Sequence, residues 1–567
     1  MTVIGIDLGT SNSVVAYWRE EEANVIPNNL GEILTPSVVS IDEEKQLLVG
    51  QVAKERLLTH PDQTAALFKR DMGTDKTFEL GGEYYLPEEL SSFVLRKLKE
   101  DAEHFLKEEI EEAVISVPAY FNDRQRKSTK RAAELAGLKV ERLISEPTAA
   151  ALSYGLHEFE RDCNFLVFDL GGGTYDVSIL EKFAGVIQVR AIAGDNYLGG
   201  EDFTKAIYQY ILQQLKIAED DLKSHEKQSV MNQAEQAKRL ISQQQEIEIT
   251  ITINEEYKTI KFTSTEFDTL VKELALRVRS PIVRALNDAS LRPEDLDAVV
   301  LVGGATRMPL IKKLVSKIIG QIPFSNIDPD QSVAVGTAIQ AALKQRDQSL
   351  KEVILTDVCP FTLGTDVVKE INDNQIESGY FYPIIERNTP IPISIVKRLY
   401  TVYDNQPKLK VDVYQGENRI TKENLKIGEV VVEVPPAPAG EGMVDVRYTY
   451  DVNGILEVEC TPVSTGITKR IVIEQNPGNM SNEEIDKRLK ELEAIKIHPR
   501  NQEENRLLIS KGERLYQESL GERREYIAQL LEAFERVLAT QRPDKIEQAA
   551  HTLRQHLNQL EGGSPPL

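Results

Sequence analysis

The sequence predicts a multidomain chain: a duplicated α/β domain, then a compact antiparallel β domain, then a helical end. Three observations predict it. The 567 residues exceed one compact core, since domains run to about 100–200 residues. The hydrophobic period changes along the chain, from apolar runs alternating with helical stretches, to two-residue alternation, to a helical period. One short motif also occurs twice in the first part, each time at the end of an apolar strand.

Residues 1–352 form the first region. Apolar runs at residues 3–6, 113–117, 165–168 and 298–302 read as strands, and residues 87–107, 123–136, 203–222 and 265–289 read as helices. Alternation of this kind gives sheets covered by helices. From residue 359 to 475 the pattern is that of half-buried strands. Leu409, Val411 and Val413 alternate with polar neighbours, as do Val444, Val446, Tyr448 and Tyr450. Asn453-Gly454 marks a hairpin turn, and Pro435, Pro436 and Pro438 separate strands. From residue 476 to 560 the period is helical, with Ile485, Leu489, Leu492 and Ile495 on one face and Ser481 with Glu484 as a capping box. Residues 561–567 read as a disordered tail.

Residues 353–358 (VILTDV) join the first two regions. Flexible linkers are rich in Gly, Ser or Pro. This one is apolar, so it reads either as a linker that docks and undocks or as an edge strand of one neighbour.

Composition narrows the function classes. Ninety acidic residues against 67 basic ones give a net charge of −23. Binding to nucleic acid or anionic membranes needs a basic surface, so neither is expected. Three separated cysteines make neither a disulfide framework nor a zinc site. The N-terminus has no signal-peptide pattern and no stretch reaches the ~20 apolar residues of a membrane span, so a cytoplasmic location is expected.

The repeated motif carries the chemistry. Residues 5–13 (GIDLGTSNS) and 168–176 (FDLGGGTYD) superpose when Asp7 is aligned with Asp169. Glycines let backbone N–H groups approach phosphate oxygens, and the hydroxyls add donors. A carboxylate just before such a turn repels phosphate unless a cation intervenes. Asp7 and Asp169 therefore imply Mg²⁺, held through waters because this ion dehydrates reluctantly. A third glycine strand end, residues 301–307 (LVGGATR), lets a base and ribose lie flat against backbone.

Residues 7–12, 117–123 (VPAYFND), 145–150 (SEPTAA), 169–176, 198–203 (LGGEDF) and 303–309 (GGATRMP) together resemble the DnaK-type seventy-kilodalton heat-shock chaperones. Residues 386–392 (ERNTPIP) and 404–406 (DNQ) extend the resemblance through the β domain. The short lid and trimmed insertions resemble the HscC branch. The resemblance implies an actin-like duplicated α/β ATPase domain, an antiparallel β-sandwich that binds peptides, and a short α-helical lid. It implies ATP and ADP as ligands with Mg²⁺.

By position, the resemblance makes Lys69, Glu146, Asp169, Thr174 and Asp176 catalytic, with Asp7 and Asp169 holding hydrated magnesium. The phosphate loops would be Gly9, Thr10, Ser11 and Asn12, facing Gly171, Gly172 and Gly173, with Gly199, Gly200 and Glu201 beside them. Adenosine would lie between Glu235, Lys238 and Ser242 on one side and Gly303, Gly304, Arg307 and Asp330 on the other. The spacing of the first three places them on one helix face.

Pro118 and Arg126 match positions that relay nucleotide state, and Arg142 and Asp357 match contacts with J-domain co-chaperones. Thr356 departs from the family's apolar linker, and an unpaired hydroxyl there would weaken docking by roughly 1–2 kcal/mol. Leu363, Val368, Val402 and Leu409 lie nearest the peptide pocket, with core packing as the alternative for at least one of them.

The segments between Arg70 and Pro87 and over residues 243–261 are short for the family. Rapid nucleotide release with little need of a GrpE-type exchange factor is therefore expected, from a monomer that binds unfolded polypeptides. A weakly coupled ATP-binding holdase or exchange-factor-like module is the alternative.

Overall fold

The computed structural model describes residues 2–140, 143–155, 162–183, 186–253, 256–324, 327–345, 354–372, 375–451, 456–473, 499–501, 503–519 and 521–561. The chain divides into two compact units, Met1–Thr356 and Asp357–Leu567.

The first unit carries the duplication into its topology. In one sheet, strand Val3–Asp7 pairs in parallel with Glu112–Val117 and antiparallel with Asn12–Arg19, which in turn pairs antiparallel with Glu22–Ile26. In the other, Cys163–Leu170 pairs in parallel with Ala298–Val302 and antiparallel with Tyr175–Phe183, which pairs antiparallel with Val186–Asp195. The four-strand order is the same in both, so Asp7 and Asp169 close equivalent strands. Strands buried on both faces read as unbroken apolar runs, which is why residues 3–6 and 298–302 stand out in the sequence.

Two helices line the inner faces. Glu146–Ser153 and Ser332–Lys344 pack against each other, and Ser332–Lys344 also lies on strands Val3–Asp7 and Asn12–Arg19. Its sequence, SVAVGTAIQAALK, is small or apolar nearly all round, as a helix buried on most sides requires. The outer face of the first sheet is covered by Pro87–Leu106 and Asp123–Leu135.

Two helices differ from the sequence reading. The stretch expected at 203–222 forms a helix at Gly200–Leu215, starting at the glycine pair because Asp202 accepts from the Gly199 N–H at 2.8 Å. It ends where Lys216 takes a left-handed conformation. The stretch expected at 265–289 divides at Val271 into Ser264–Leu270 and Lys272–Ala289.

Ile354–Thr356 is an edge strand, pairing in parallel with Val186, Ile187 and Gln188. The Thr356 hydroxyl oxygen is buried without a hydrogen-bond partner.

The second unit contains two four-stranded antiparallel sheets. One runs Gln375–Ile385, Leu363–Asn372, Lys408–Gln415, Leu425–Glu433; the other runs Ile393–Tyr400, Met443–Tyr450, Leu456–Pro462, Lys469–Ile473. Their inner faces share one apolar core, and Tyr448 Oη donates across it to the Gly364 carbonyl at 3.0 Å. The Asn453-Gly454 turn lies outside the described residues, but its flanks pair from Tyr450↔Leu456 onward. Helices Glu503–Glu518, Gly521–Thr540 and Pro543–Glu561 pack into a bundle with its own core. Ser481, Glu484, Ile485, Leu489, Leu492, Ile495 and the tail at 562–567 lie outside the described residues.

Candidate active site

The two motif loops meet at the floor of a cleft of about 650 Å³ in the first unit. Each follows its strand because a strand that ends at a glycine turn delivers its last carboxylate to the sheet edge. The loops touch. A Cβ on Gly172 would lie 2.0 Å from Ser11 Oγ and 3.1 Å from Ser11 Cβ, so a larger residue there would force the Ser11 side chain to move. Gly303 serves the third strand end likewise, at φ +82° and with its Cα side against the Leu170 carbonyl.

Beneath the loops lies a buried charge cluster. Lys69 Nζ donates to Glu146 Oε1 at 2.9 Å. Lys69 comes from the short helical turn Phe68–Asp71 and Glu146 from the first position of its helix. Ser116 donates to Asp7 Oδ1 at 2.8 Å. Asp169 and Asp176 are buried on the strands that flank the second loop, with Thr174 buried between them. Both carboxylate oxygens of Asp176 are buried without a hydrogen bond of full geometry, although the Ala119 and Tyr120 backbones lie near enough to favour its charged form.

The electrostatics follow from crowding carboxylates in a dry site. Burial, reinforced by the Glu146 charge, pushes the Asp7 carboxyl up to about 7 and that of Asp176 up to about 8, with Lys69 opposing both shifts. Asp169 is raised well above the carboxylate range by burial and by Glu146, Asp176 and Asp7. Acid outweighs base here, so the site is built to receive positive charge.

A divalent cation fits that donor set. Among the described residues no three acidic, histidine or cysteine side chains close into a direct metal cage. Asp7 and Asp169, which line the cleft, are the carboxylates that would hold such an ion, through its own waters in the case of Mg²⁺.

The cleft walls bring together the other sequence-predicted residues. Gly9, Thr10, Ser11, Asn12, Gly171, Gly172, Gly200 and Glu201 line the floor; Glu235, Lys238 and Ser242 line one wall and Gly303, Gly304, Arg307 and Asp330 the other. Lys238 Nζ donates to the Gly200 carbonyl and to Thr204 Oγ1, both at 2.9 Å, and pairs with Glu235 at 2.5 Å. Arg307 bridges Asp328 and Asp330 at 2.5 and 2.8 Å. Gly173 and Gly199 support the loops from just behind, with the Gly173 carbonyl accepting from Arg70 Nε at 3.0 Å.

Sequence reading missed Arg70, Ser116 and Asp202. Ser116 had a signal: a hydroxyl inside the apolar strand Glu112–Val117. Arg70 had only its place beside Lys69.

The remaining candidates fall elsewhere. Pro118 opens the loop whose backbone faces Asp176, and Arg126 holds that loop through the Phe121 and Ala119 carbonyls at 3.2 and 3.3 Å. Asp357 accepts from the Val358 N–H at 2.8 Å. Arg142 lies outside the described residues. In the β domain, Leu363 and Leu409 are buried between the sheets, where their strand positions face inward. Val368 and Val402 are half-buried.

A family model described as "Hsp70 protein" matches residues 3–79 and 75–562. The chain belongs to the Hsp70 family. Among its relatives, "Chaperone protein DnaK" of Thermosipho africanus is 38% identical, over 98% of this chain and 92% of its own length. "Chaperone protein DnaK" of Thermotoga neapolitana is 40% identical, over 86% of this chain and 85% of its own. That of Thermotoga maritima is 41% identical, over 83% and 80%. These Hsp70 matches span both units, so the family likeness is not confined to the cleft. Among the described residues no helix is long and apolar enough to cross a membrane.

Proposed function

We propose that the chain is an ATP-dependent molecular chaperone, whose first unit hydrolyses ATP and whose β domain binds exposed apolar segments of unfolded polypeptides. The observation that carries the reading is the buried acid cluster with Lys69 at its centre, beneath two touching glycine loops.

The division of labour follows from position. Backbone N–H groups and hydroxyls of the Gly9–Asn12 and Gly171–Thr174 loops bind the phosphates. Asp7 and Asp169 would hold hydrated Mg²⁺, which neutralises charge on the phosphate oxygens. Glu146, Thr174 and Asp176 orient the attacking water. Lys69 offsets charge that develops as that water attacks the γ-phosphorus and the bond to the ADP oxygen breaks. Glu235, Lys238, Ser242, Gly303, Gly304, Arg307 and Asp330 hold the adenosine.

The finer reading rests on the sequence. It is a specialised, short-lid variant of the HscC kind, monomeric and cytoplasmic, with rapid nucleotide exchange and little need of a GrpE-type factor. Arg142 and Asp357 would meet a J-domain, Pro118 and Arg126 would relay nucleotide state, and Leu363, Val368, Val402 and Leu409 would lie nearest the peptide pocket. The unpaired Thr356 hydroxyl in the linker strand favours a second reading, a weakly coupled ATP-binding holdase.

Single-turnover ATP hydrolysis separates them, measured with and without an unfolded peptide and a J-domain, on wild type and Lys69→Ala. Slow hydrolysis that either addition accelerates and the substitution abolishes supports the coupled chaperone. Hydrolysis indifferent to both additions moves the holdase to the front.

A further inference from the structure

Arg70 bridges the two halves of the cleft floor. It lies on the turn Phe68–Asp71 beside Lys69 and reaches the loop and helix of the other half. Its Nε donates to the Gly173 carbonyl at 3.0 Å, its Nη1 to Asp202 Oδ1 at 3.4 Å, and its Nη2 to Asp202 Oδ2. The side chains are 11% and 18% exposed. Asp202 is itself fixed, because its Oδ2 also accepts from the Gly199 N–H at 2.8 Å. Glu201 N and Gly200 N bond to the Gly172 and Gly171 carbonyls, both at 2.9 Å, so the helix start and the phosphate loop move as one piece.

We infer that Arg70 is a positioning residue with two tasks, which rest on the ATPase reading above. Through Asp202 it holds the cleft shut and slows nucleotide release. Through the Gly173 carbonyl it fixes the plane of the Gly173–Thr174 peptide. A planar peptide with its C=O held towards Arg70 aims the Thr174 N–H the opposite way. Only a guanidinium has a fork wide enough to serve a carboxylate and a carbonyl together. A lysine keeps the charge and loses one of the two contacts.

The two tasks predict separable effects. Asp202→Asn weakens the latch and leaves the Gly173 contact, so ADP release accelerates roughly tenfold, the scale of one lost charge-assisted pair, with little change in single-turnover hydrolysis. Arg70→Ala accelerates release and also slows hydrolysis. Arg70→Lys recovers part of one effect and not both.

The experiment follows fluorescent ADP release by stopped flow and single-turnover ATP hydrolysis on the full chain, with melting curves for each variant. Arg70→Ala combined with Asp202→Asn releasing ADP no faster than Arg70→Ala alone supports the latch. Wild-type release in both conservative variants, Arg70→Lys and Asp202→Asn, with normal melting overturns it. Loss of hydrolysis and release together in proportion to a lowered melting temperature overturns it too, because that marks a merely structural role. Failure of the wild type to bind ADP removes the ATPase reading itself, a result distinct from normal binding with an unaffected release rate.

Discussion

Lys69 Nζ and Glu146 Oε1 lie 2.9 Å apart, with their side chains only 5% and 8% exposed. A pair so dry is costly to break from one side. Removing one partner leaves a buried charge, at a cost of about 3–5 kcal/mol. Lys69→Met should therefore lower the melting temperature, and adding Glu146→Gln should restore much of it. Hydrolysis should fall about 100-fold or more in both, the scale of one lost electrostatic contact in a transition state. Thermal melts and single-turnover assays on the same samples check this. Recovery of hydrolysis along with stability would show that Lys69 serves the fold alone.

Asp176 should make the ligand-free protein pH-sensitive. Burial raises its carboxyl from 3.8 to about 8. In that window the folded chain holds a proton that the unfolded chain has released. Stability from this group is therefore full below the lower value and declines as pH rises towards the upper one. In EDTA and without nucleotide, Asp176→Asn should melt at a higher temperature than wild type at pH 8, with the gap closing towards pH 4. A gap that stays constant with pH would place the effect in packing.

The sequence made the cleft legible because its parts are local. Each phosphate loop is a contiguous run after a strand, and the duplication of Asp7 and Asp169 is a duplication of words as well as of topology. Contacts that join distant segments were less legible. Nothing adjacent to Arg70 points to Asp202, 132 residues later. The β domain was legible as alternation, yet alternation marks a face without saying whether a residue on that face ends in core or pocket. Leu363 and Leu409 face the core between the sheets, a position that alternation alone could not assign.

Thr356 gives a test of linker docking. Its hydroxyl oxygen is buried and unpaired in the strand that pairs with Val186–Gln188. Thr356→Val keeps the branched shape and removes the unmatched group, for a gain of about 1 kcal/mol in the docked strand. Amide exchange across residues 354–356 and 186–188 should slow by roughly fivefold, which is what that free energy converts to. Unchanged exchange would mean that water reaches the hydroxyl. If the chaperone reading holds, the variant should also answer peptide with a larger rise in ATP hydrolysis.

Gln541 should govern how firmly the helical bundle holds the sandwich. It sits between the last two helices at φ +58°. Its side chain accepts from the Val396 N–H at 3.3 Å and donates to the Val396 carbonyl at 3.5 Å. Strand Ile393–Tyr400 pairs on one side with Met443–Tyr450 and, among the described residues, with no strand on the other. The amide thus stands in for a neighbouring strand at one residue of a free edge. Next to it, Arg542 reaches Glu386 at 3.3 Å, but that carboxylate side chain is 66% exposed. Exposed ion pairs are worth about 0–1 kcal/mol, whereas burying an orphaned backbone group costs about 1–3 kcal/mol. Gln541→Ala should therefore speed dissociation of a bound fluorescent peptide several-fold, while Arg542→Ala changes it little. Hydrolysis of ATP without peptide should be unaffected by either, since both residues lie in the second unit. Equal effects from the two substitutions would assign the docking to charge, and neither effect would detach the bundle from control of peptide release.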